Sequence, residues 1–272
     1  MKKPTILFKY GGNAMTNTSL KKQVLENILT LKSKGFNIII SHGGGPFIKN
    51  ILEVVGVESE FIDGQRVTTS EAFNYIEMAL KGQVNSDLVN TINTLGGKAV
   101  GLSGKDGQTV IAEKRIHKRV VDGKEVIVDL GQVGNIAKVD ITLIDTLLDN
   151  DYIPVIACIA ADENGMGYNI NGDSFAGKIA GAINVEQFII LTDVDGLLMD
   201  KDNPDSLIRN LNFNEIKKLK SDGIIQGGMI PKIEACENAI KEGAKSAKII
   251  NGTKPDQILS IDEDKFGTLI KK

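Results

Sequence analysis

Apolar residues fall in two rhythms along the chain. TILFKY, FNIIIS, KAVGLS, YIPVIA, QFIILT and SAKIING are short and nearly unbroken. They read as strands; FNIIIS has no polar alternation, as expected for a buried parallel strand, QFIILT is a strong buried strand and SAKIING a closing one. Between them lie helical periods. SLKKQVLENILTLKSKG places Leu20, Val24, Ile28 and Leu31 on one face, with Ser19 as the expected N-cap and Gly35 as the stop. PFIKNILEVVG repeats the pattern through Phe47, Ile48, Ile51, Leu52 and Val55. The first 56 residues therefore read β-α-β-α, which predicts a parallel sheet with right-handed crossovers.

A long polar helix is expected over about Ser70 to Leu95. The texture then changes. TVIAEKRIHKRVVDGKEVIVDLG is rich in β-branched residues around Asp122-Gly123, which predicts a hairpin added antiparallel to the sheet. DITLIDTLLDN reads as a helix. GDSFAGKIAGAINV is a helix rich in small residues, suited to close packing on a sheet. NEIKKLKS and IEACENAIKEG are helices, and GTLIKK is a closing strand. The chain is α/β throughout, with no flexible linker. Two lobes are expected, residues 1–160 and 161–272, dividing softly near ACIAADENG.

Composition sharpens this in a few places. A net charge of -3 argues against a general nucleic-acid binder, so any anionic ligand must be attracted by local groups. Two cysteines, Cys158 and Cys236, sit in apolar surroundings, as in a reduced compartment without a disulfide framework. The apolar run in MKKPTILFKYGG is too short for a signal peptide, and no run approaches the roughly 20 residues of a membrane span. A cytoplasmic protein without membrane contact is the expectation. The 29 glycines cluster in pairs and triplets at the ends of apolar runs, where loops around a ligand would lie.

In open α/β sheets ligands bind beyond the C-terminal ends of the strands. After the first strand come Lys9, Gly11, Gly12 and Asn13, either a turn with a solvated lysine or an anion site. After the second, SHGGGP sets Gly43, Gly44 and Gly45 before a proline, so bare N–H groups at a helix N-terminus form an anion nest. It is neither a Walker loop nor a G-x-G-x-x-G fingerprint. Arg66 is a surface residue or a fork for a carboxylate. Asn169 and Asn171 alternate in an extended segment and point the same way. Asp173 is a candidate N-cap that could also orient lysines. Thr192, Asp193 and Asp195 make a turn, a nucleotide loop or carboxylates near magnesium. Gly227 and Gly228 precede Lys232, whose charge near a helix N-terminus is unfavourable unless an anion sits there. With two histidines, His42 and His117, a zinc site is poorly supported. No G-x-S-x-G elbow occurs, and a triad resting on His42 has little support.

FKYGGNAM, SHGGGP, GQRVT, YNINGD, LTDVDG and GGMIPK, in that order, resemble the amino-acid kinase superfamily, most closely its N-acetylglutamate kinase branch. The resemblance covers essentially the whole chain. It implies a three-layer α/β/α sandwich whose mainly parallel central sheet is shared by two lobes. The N-terminal lobe would bind the acid and dimerise, and the C-terminal lobe would bind ATP. It implies ATP-dependent phosphorylation of the side-chain carboxylate of N-acetyl-L-glutamate, a step of arginine biosynthesis. Lys9 and Lys232 would stabilise the transferring phosphoryl group, and Asp173 would orient them. Gly11 and Gly12 would donate N–H groups to phosphates. Gly44 and Gly45 would hold the reacting carboxylate, with Arg66, Asn169 and Asn171 on the rest of the substrate. Thr192, Asp193 and Asp195 would border the nucleotide. Magnesium would arrive on the ATP phosphates, with no dedicated protein ligand. Relatives inhibited by arginine carry an N-terminal helix not seen in this sequence, so an arginine-insensitive homodimer is expected. The alternatives are a sister kinase for another carboxylic acid and a non-catalytic amino-acid or nucleotide sensor. Keeping both Lys9 and Lys232 argues against a sensor.

Overall fold

The computed structural model describes residues 3–121, 123–261 and 265–272. The chain runs through β1 (Thr5–Tyr10), α1 (Thr18–Ser33), β2 (Asn37–His42), α2 (Gly45–Val55), the short strands β3 (Phe61–Ile62) and β4 (Gln65–Arg66), and α3 (Ser70–Glu77). A π-helical stretch, Met78–Asn85, joins α3 to α4 (Ser86–Thr94). Then come β5 (Ala99–Ser103), β6 (Val110–Lys114), β7 (His117–Val121), β8 (Lys124–Val128), β9 (Val133–Val139), α5 (Thr142–Asp149), β10 (Ile153–Ala157), β11 (Ile159–Ala161) and β12 (Gly167–Ile170). The last part holds α6 (Gly172–Ile183), β13 (Gln187–Thr192), β14 (Asn210–Leu211), α7 (Phe213–Ser221), α8 (Met229–Lys241), β15 (Ala247–Asn251) and β16 (Thr268–Ile270).

Eight strands form the central sheet in the order β14-β16-β15-β13-β1-β2-β10-β5. The six strands from β15 to β5 run parallel, and β16 pairs antiparallel with β15. The near-unbroken apolar runs are explained by burial on both faces. Ile6, Phe8 and Tyr10 of β1 enter one core with α1 and α4, while Leu7 enters the other with α6 and α8. Strand alternation therefore puts Lys9 on the Leu7 face. The sheet order reverses at β1, which has β2 on one side and β13 on the other. This is the topological switch point where α/β sheets open a crevice.

Several sequence expectations shift. The N-cap of α1 is Asn17, whose Oδ1 accepts from Leu20 N at 2.9 Å, and Ser19 lies inside the first turn. The single helix expected over residues 70–95 is interrupted by the π stretch. The hairpin does not extend the main sheet. Its outer parts, β7 and β8, make a separate two-stranded ribbon, and β6 and β9 close with β11 and β12 into a four-stranded barrel. Ribbon side chains such as Val120 and Ile127 stay exposed, so burial does not draw them onto the sheet. Residue Asp122 of the expected turn lies outside the described residues.

Candidate active site

The site grows from the end of β1. Gly11 follows it, and a Cβ there would stand 3.1 Å from Lys9 Nζ, so glycine spares the ammonium a tight contact. Gly12 adopts φ 71°, which glycine accepts without strain. Helix α6 begins nearby. Its N-cap is Asn171, not Asp173: Asn171 Oδ1 accepts from the backbone N of Asp173 at 3.0 Å and of Ser174 at 3.1 Å. With the cap filled, Asp173 sits in the first helical turn, where the helix dipole favours a carboxylate.

Helices α6 and α8 touch closely, since a Cβ on Gly177 would lie 2.7 Å from Ala235 O. The small residues of α6 thus pack tightest on a helix rather than on the sheet alone. That approach sets Lys232 beside Asp173. Lys232 Nζ donates to Asp173 Oδ2 at 3.1 Å, and Lys9 Nζ pairs with Oδ1 at 3.0 Å. The Asp173 side chain is only 7% exposed. Its burial pushes the carboxyl pKa up, but Lys9 and Lys232 outweigh that and hold it below the ordinary value. The magnitudes agree. At such distances and an effective dielectric of about 20, each pair gains roughly 5 kcal/mol of Coulomb energy before desolvation. Two such gains exceed a burial penalty of several kcal/mol on one carboxylate. The anion that the charge of Lys232 demanded is therefore supplied, in part, by the protein.

Two cavities flank this triad. The larger, of about 840 Å³, lies on the β2 side and is lined by Gly44, Gly45, Arg66, Asn169 and Asn171 among others. Strands β3 and β4 project as a hairpin beside it. Their turn, Asp63-Gly64, has φ of 48° and 75°, the type I′ geometry of a two-residue hairpin. Arg66 stacks 4.5 Å from the centroid of its strand partner Phe61 and donates from Nη1 to Ser59 Oγ. Asn169 Nδ2 reaches Thr68 Oγ1 at 3.4 Å, and Thr68 Oγ1 donates to Arg66 O at 3.0 Å, joining β12 to the hairpin. The ribbon braces the same turn, with His117 Nε2 at 2.8 Å and Arg119 Nε at 3.1 Å from Asp63 Oδ2.

The smaller cavity, of about 510 Å³, lies on the β13 side and includes Thr192, Asp193, Gly228 and Lys232. Lys9, Gly11 and Gly12 line both cavities. Asp195 lines neither. Its carboxylate accepts from Asn251 Nδ2 at 2.9 Å and Lys254 Nζ at 2.8 Å, fastening the loop after β13 to the end of β15. Among the described residues, no three His, Cys, Asp or Glu side chains gather to hold a metal ion. Sequence reasoning missed Ser59, Phe61 and Cys158 as lining residues. Phe61 carried a weak signal, an aromatic beside a polar Asp-Gly turn. Ser59 and Cys158 carried none. Burial raises the Cys158 thiol pKa to about 11, despite the opposing charge of Lys9.

The family model described as "Amino acid kinase family" matches residues 4–251. The chain belongs to the amino acid kinase family. An acetylglutamate kinase of Methanococcus vannielii is 45% identical over 268 residues, covering 98% of this chain and 91% of that protein. The structure of smu.665 from Streptococcus mutans UA159 superposes with a TM-score of 0.78 at 25% identity, covering 98% of each chain. Carbamate kinase from Giardia lamblia bound to AMP-PNP superposes at 0.69 and 18% identity, covering 99% of each chain, and shares the fold. In this member of the amino acid kinase family two lysines bridged by one carboxylate stand beside Gly11 and Gly12 where the cavities join.

Proposed function

We propose that the protein transfers the γ-phosphoryl group of ATP to the side-chain carboxylate of N-acetyl-L-glutamate, giving N-acetyl-L-glutamyl 5-phosphate. This is a step of arginine biosynthesis, and the relatives at 45% identity are named for that activity. One geometric observation carries the reading: two cavities meet along Lys9, Gly11 and Gly12, with Lys9 and Lys232 bridged by Asp173. A carboxylate acceptor has a pKa of about 4 and is already ionised at neutral pH, so the site requires no general base. The barrier is the repulsion of two anions and the cost of aligning them.

In this reading the β2-side cavity takes the acid. Gly44 and Gly45 present N–H groups to the reacting carboxylate, while Arg66, Asn169 and Asn171 hold the α-carboxylate and acetamido end. Asn171 does this while its Oδ1 caps α6. The β13-side cavity takes the nucleotide, with Thr192 and Asp193 at its border and Gly11 and Gly12 on the phosphates. Lys9 and Lys232 neutralise charge on the transferring group, and Asp173 fixes their ammonium groups. Magnesium carried on the ATP phosphates would add further charge neutralisation. Residues 1–160 and 161–272 then act as acid and nucleotide lobes, although Asn169 and Asp173 reach into the acid cavity. We place the protein in the cytoplasm as a homodimer.

An ADP-release assay over a panel of carboxylic acids tests this. N-acetyl-L-glutamate is expected to be turned over well above glutamate, aspartate and carbamate. Turnover of another acid alone, or tight binding with no turnover, would overturn the reading. In Arg66→Ala the KM for the acid is expected to rise roughly 10- to 100-fold, the worth of a hydrogen bond to a charged group, with a smaller change in kcat. An unchanged KM would remove Arg66 from the acid site.

A further inference from the structure

His42 closes β2 directly before the glycine nest, and it is fully buried. Its ring touches two partners. Nδ1 lies 2.9 Å from Gly43 O, and Nε2 lies 2.9 Å from Asn85 Nδ2. The same Asn85 amide nitrogen is 2.8 Å from Val155 O and 3.4 Å from Leu102 O. Carbonyl oxygens only accept, so the Asn85 atom beside them is the NH2, which donates and offers His42 Nε2 nothing to donate to. Nε2 must then present its lone pair. The proton of the neutral ring is left on Nδ1, which donates to Gly43 O. Burial pushes the His42 pKa down to about 4, with the Gly43 bond opposing and Lys81 adding to the shift. The ring is neutral throughout the working range.

This bond controls a peptide plane. Described peptide bonds are all trans, and in a trans peptide the C=O and the following N–H point in opposite directions. Drawing Gly43 O onto the buried imidazole therefore turns the Gly44 N–H away from it, and Gly43, Gly44 and Gly45 all line the larger cavity. The π-helical stretch builds the rest of the clamp. It supplies Asn85, its last residue. It also sets Leu80 and Val84 so close to Gly44 that a Cβ there would meet Leu80 Cδ2 at 2.7 Å. On the far side, a Cβ at Gly101 would lie 2.0 Å from Asn85 Oδ1, so glycine in β5 is what admits the amide. Irregular π turns inside helices recur at functional sites. Here the extra residue in the turn aims one amide at the end of a central strand.

We propose that His42, held as the Nδ1–H tautomer by Asn85, is a positioning residue for phosphoryl transfer, because it locks the Gly43-Gly44 peptide with the Gly44 N–H presented to the acceptor carboxylate. The inference rests on the reading of Gly44 as a carboxylate donor. His42 itself touches neither substrate. It works through the backbone, and Asn85 works through His42.

The test has two arms. In the first, 15N-histidine labelling of the intact protein reads the tautomer directly, since the chain has only two histidines and His117→Gln assigns the other. A protonated Nδ1 and a bare Nε2 between pH 6 and 9 are expected. A protonated Nε2 overturns the proposal. In the second, Asn and Gln place an amide nitrogen near the δ and ε positions of the ring, respectively. His42→Asn keeps the donor to Gly43 O and is expected to retain kcat within about fivefold, whereas His42→Gln loses that donor and kcat falls by roughly 10- to 100-fold, below the full loss of an oxyanion donor. The KM for ATP is expected to move less than about threefold in both, because the nucleotide cavity lies beyond Lys9. Equal losses in the two variants, or wild-type kcat in His42→Gln, overturn the proposal. Should His42→Gln fail to fold, the tautomer in the unsubstituted protein decides alone. If the unsubstituted protein turns over an acid other than N-acetyl-L-glutamate, the proposed function fails, and the variants are compared with that acid.

Discussion

In Lys9→Ala, kcat is expected to fall by roughly 10²- to 10³-fold while the KM for each substrate changes less than about tenfold. Lys9 lies at the junction of the two cavities, with its side chain 13% exposed. During transfer the donor phosphates and the acceptor carboxylate are closest together, so an ammonium between them is worth more to the transition state than to either bound substrate. Lys232→Ala is expected to behave alike, since it holds the other oxygen of the same carboxylate. Arginine is not expected to rescue Lys9. The ammonium meets Asp173 Oδ1 at 3.0 Å as a compact point charge. A planar guanidinium on a longer stem would not place its charge at the same point. Steady-state kinetics with both substrates varied decide the matter. A kcat within about threefold of wild type would remove the lysine from the transition state.

Asp173→Ala is expected to cost both catalysis and stability. It leaves two largely buried ammonium groups facing each other with no anion between them. Breaking a buried ion pair by removing one partner costs about 3–5 kcal/mol. The loss carries a signature that a cavity alone would not show. Phosphate groups restore the missing negative charge, so ATP is expected to raise Tm more in Asp173→Ala than in wild type. The pH dependence follows from the sign of the shift. The native carboxyl pKa lies below the ordinary value, so the unfolded chain binds the proton more readily. The stability contribution is thus fully present above about pH 4, the unfolded value, and is lost as pH falls through the native one. Urea unfolding at several pH values should show a shallower acid decline in the variant than in wild type. Equal stability at pH 7, with the same response to ATP, would show that Asp173 does not hold the lysines together.

The sheet was legible because its strands are buried on both faces and therefore lack polar interruptions. FNIIIS and QFIILT could hardly be anything else once helical periods flanked them. What sequence could not settle was competition between neighbours with similar chemistry. Asn171 and Asp173 both make good caps, and only the chain direction into α6 decides that Asn171 does so, freeing Asp173 for the lysines. Asp193 and Asp195 look alike in TDVDG, yet Asp195 is taken by Lys254 and Asn251, more than fifty residues away in sequence. The barrel escaped notice because β11 has three residues and no alternation to reveal it. The π stretch escaped for a related reason: its apolar spacing differs from an α-helix by one residue in a turn. Glycine clusters were the most informative local feature, because their positions at strand ends tied them to the crevice before any partner was known.

The neighbours of β1 carry a consequence of their own. Lys9 is in register with Ser41 of β2 on one side and Ile190 of β13 on the other. Adjacent strands are about 4.8 Å apart, so the segments that leave β2 and β13 are anchored roughly 10 Å from each other, with the lysine midway. If transfer runs past Lys9 as proposed, the separation of the two sides of the site is a lattice constant of the sheet and not a setting of any loop. The β3–β4 hairpin is a separate two-stranded sheet, so remodelling the segments around it is expected to alter which acid is held while leaving this spacing intact.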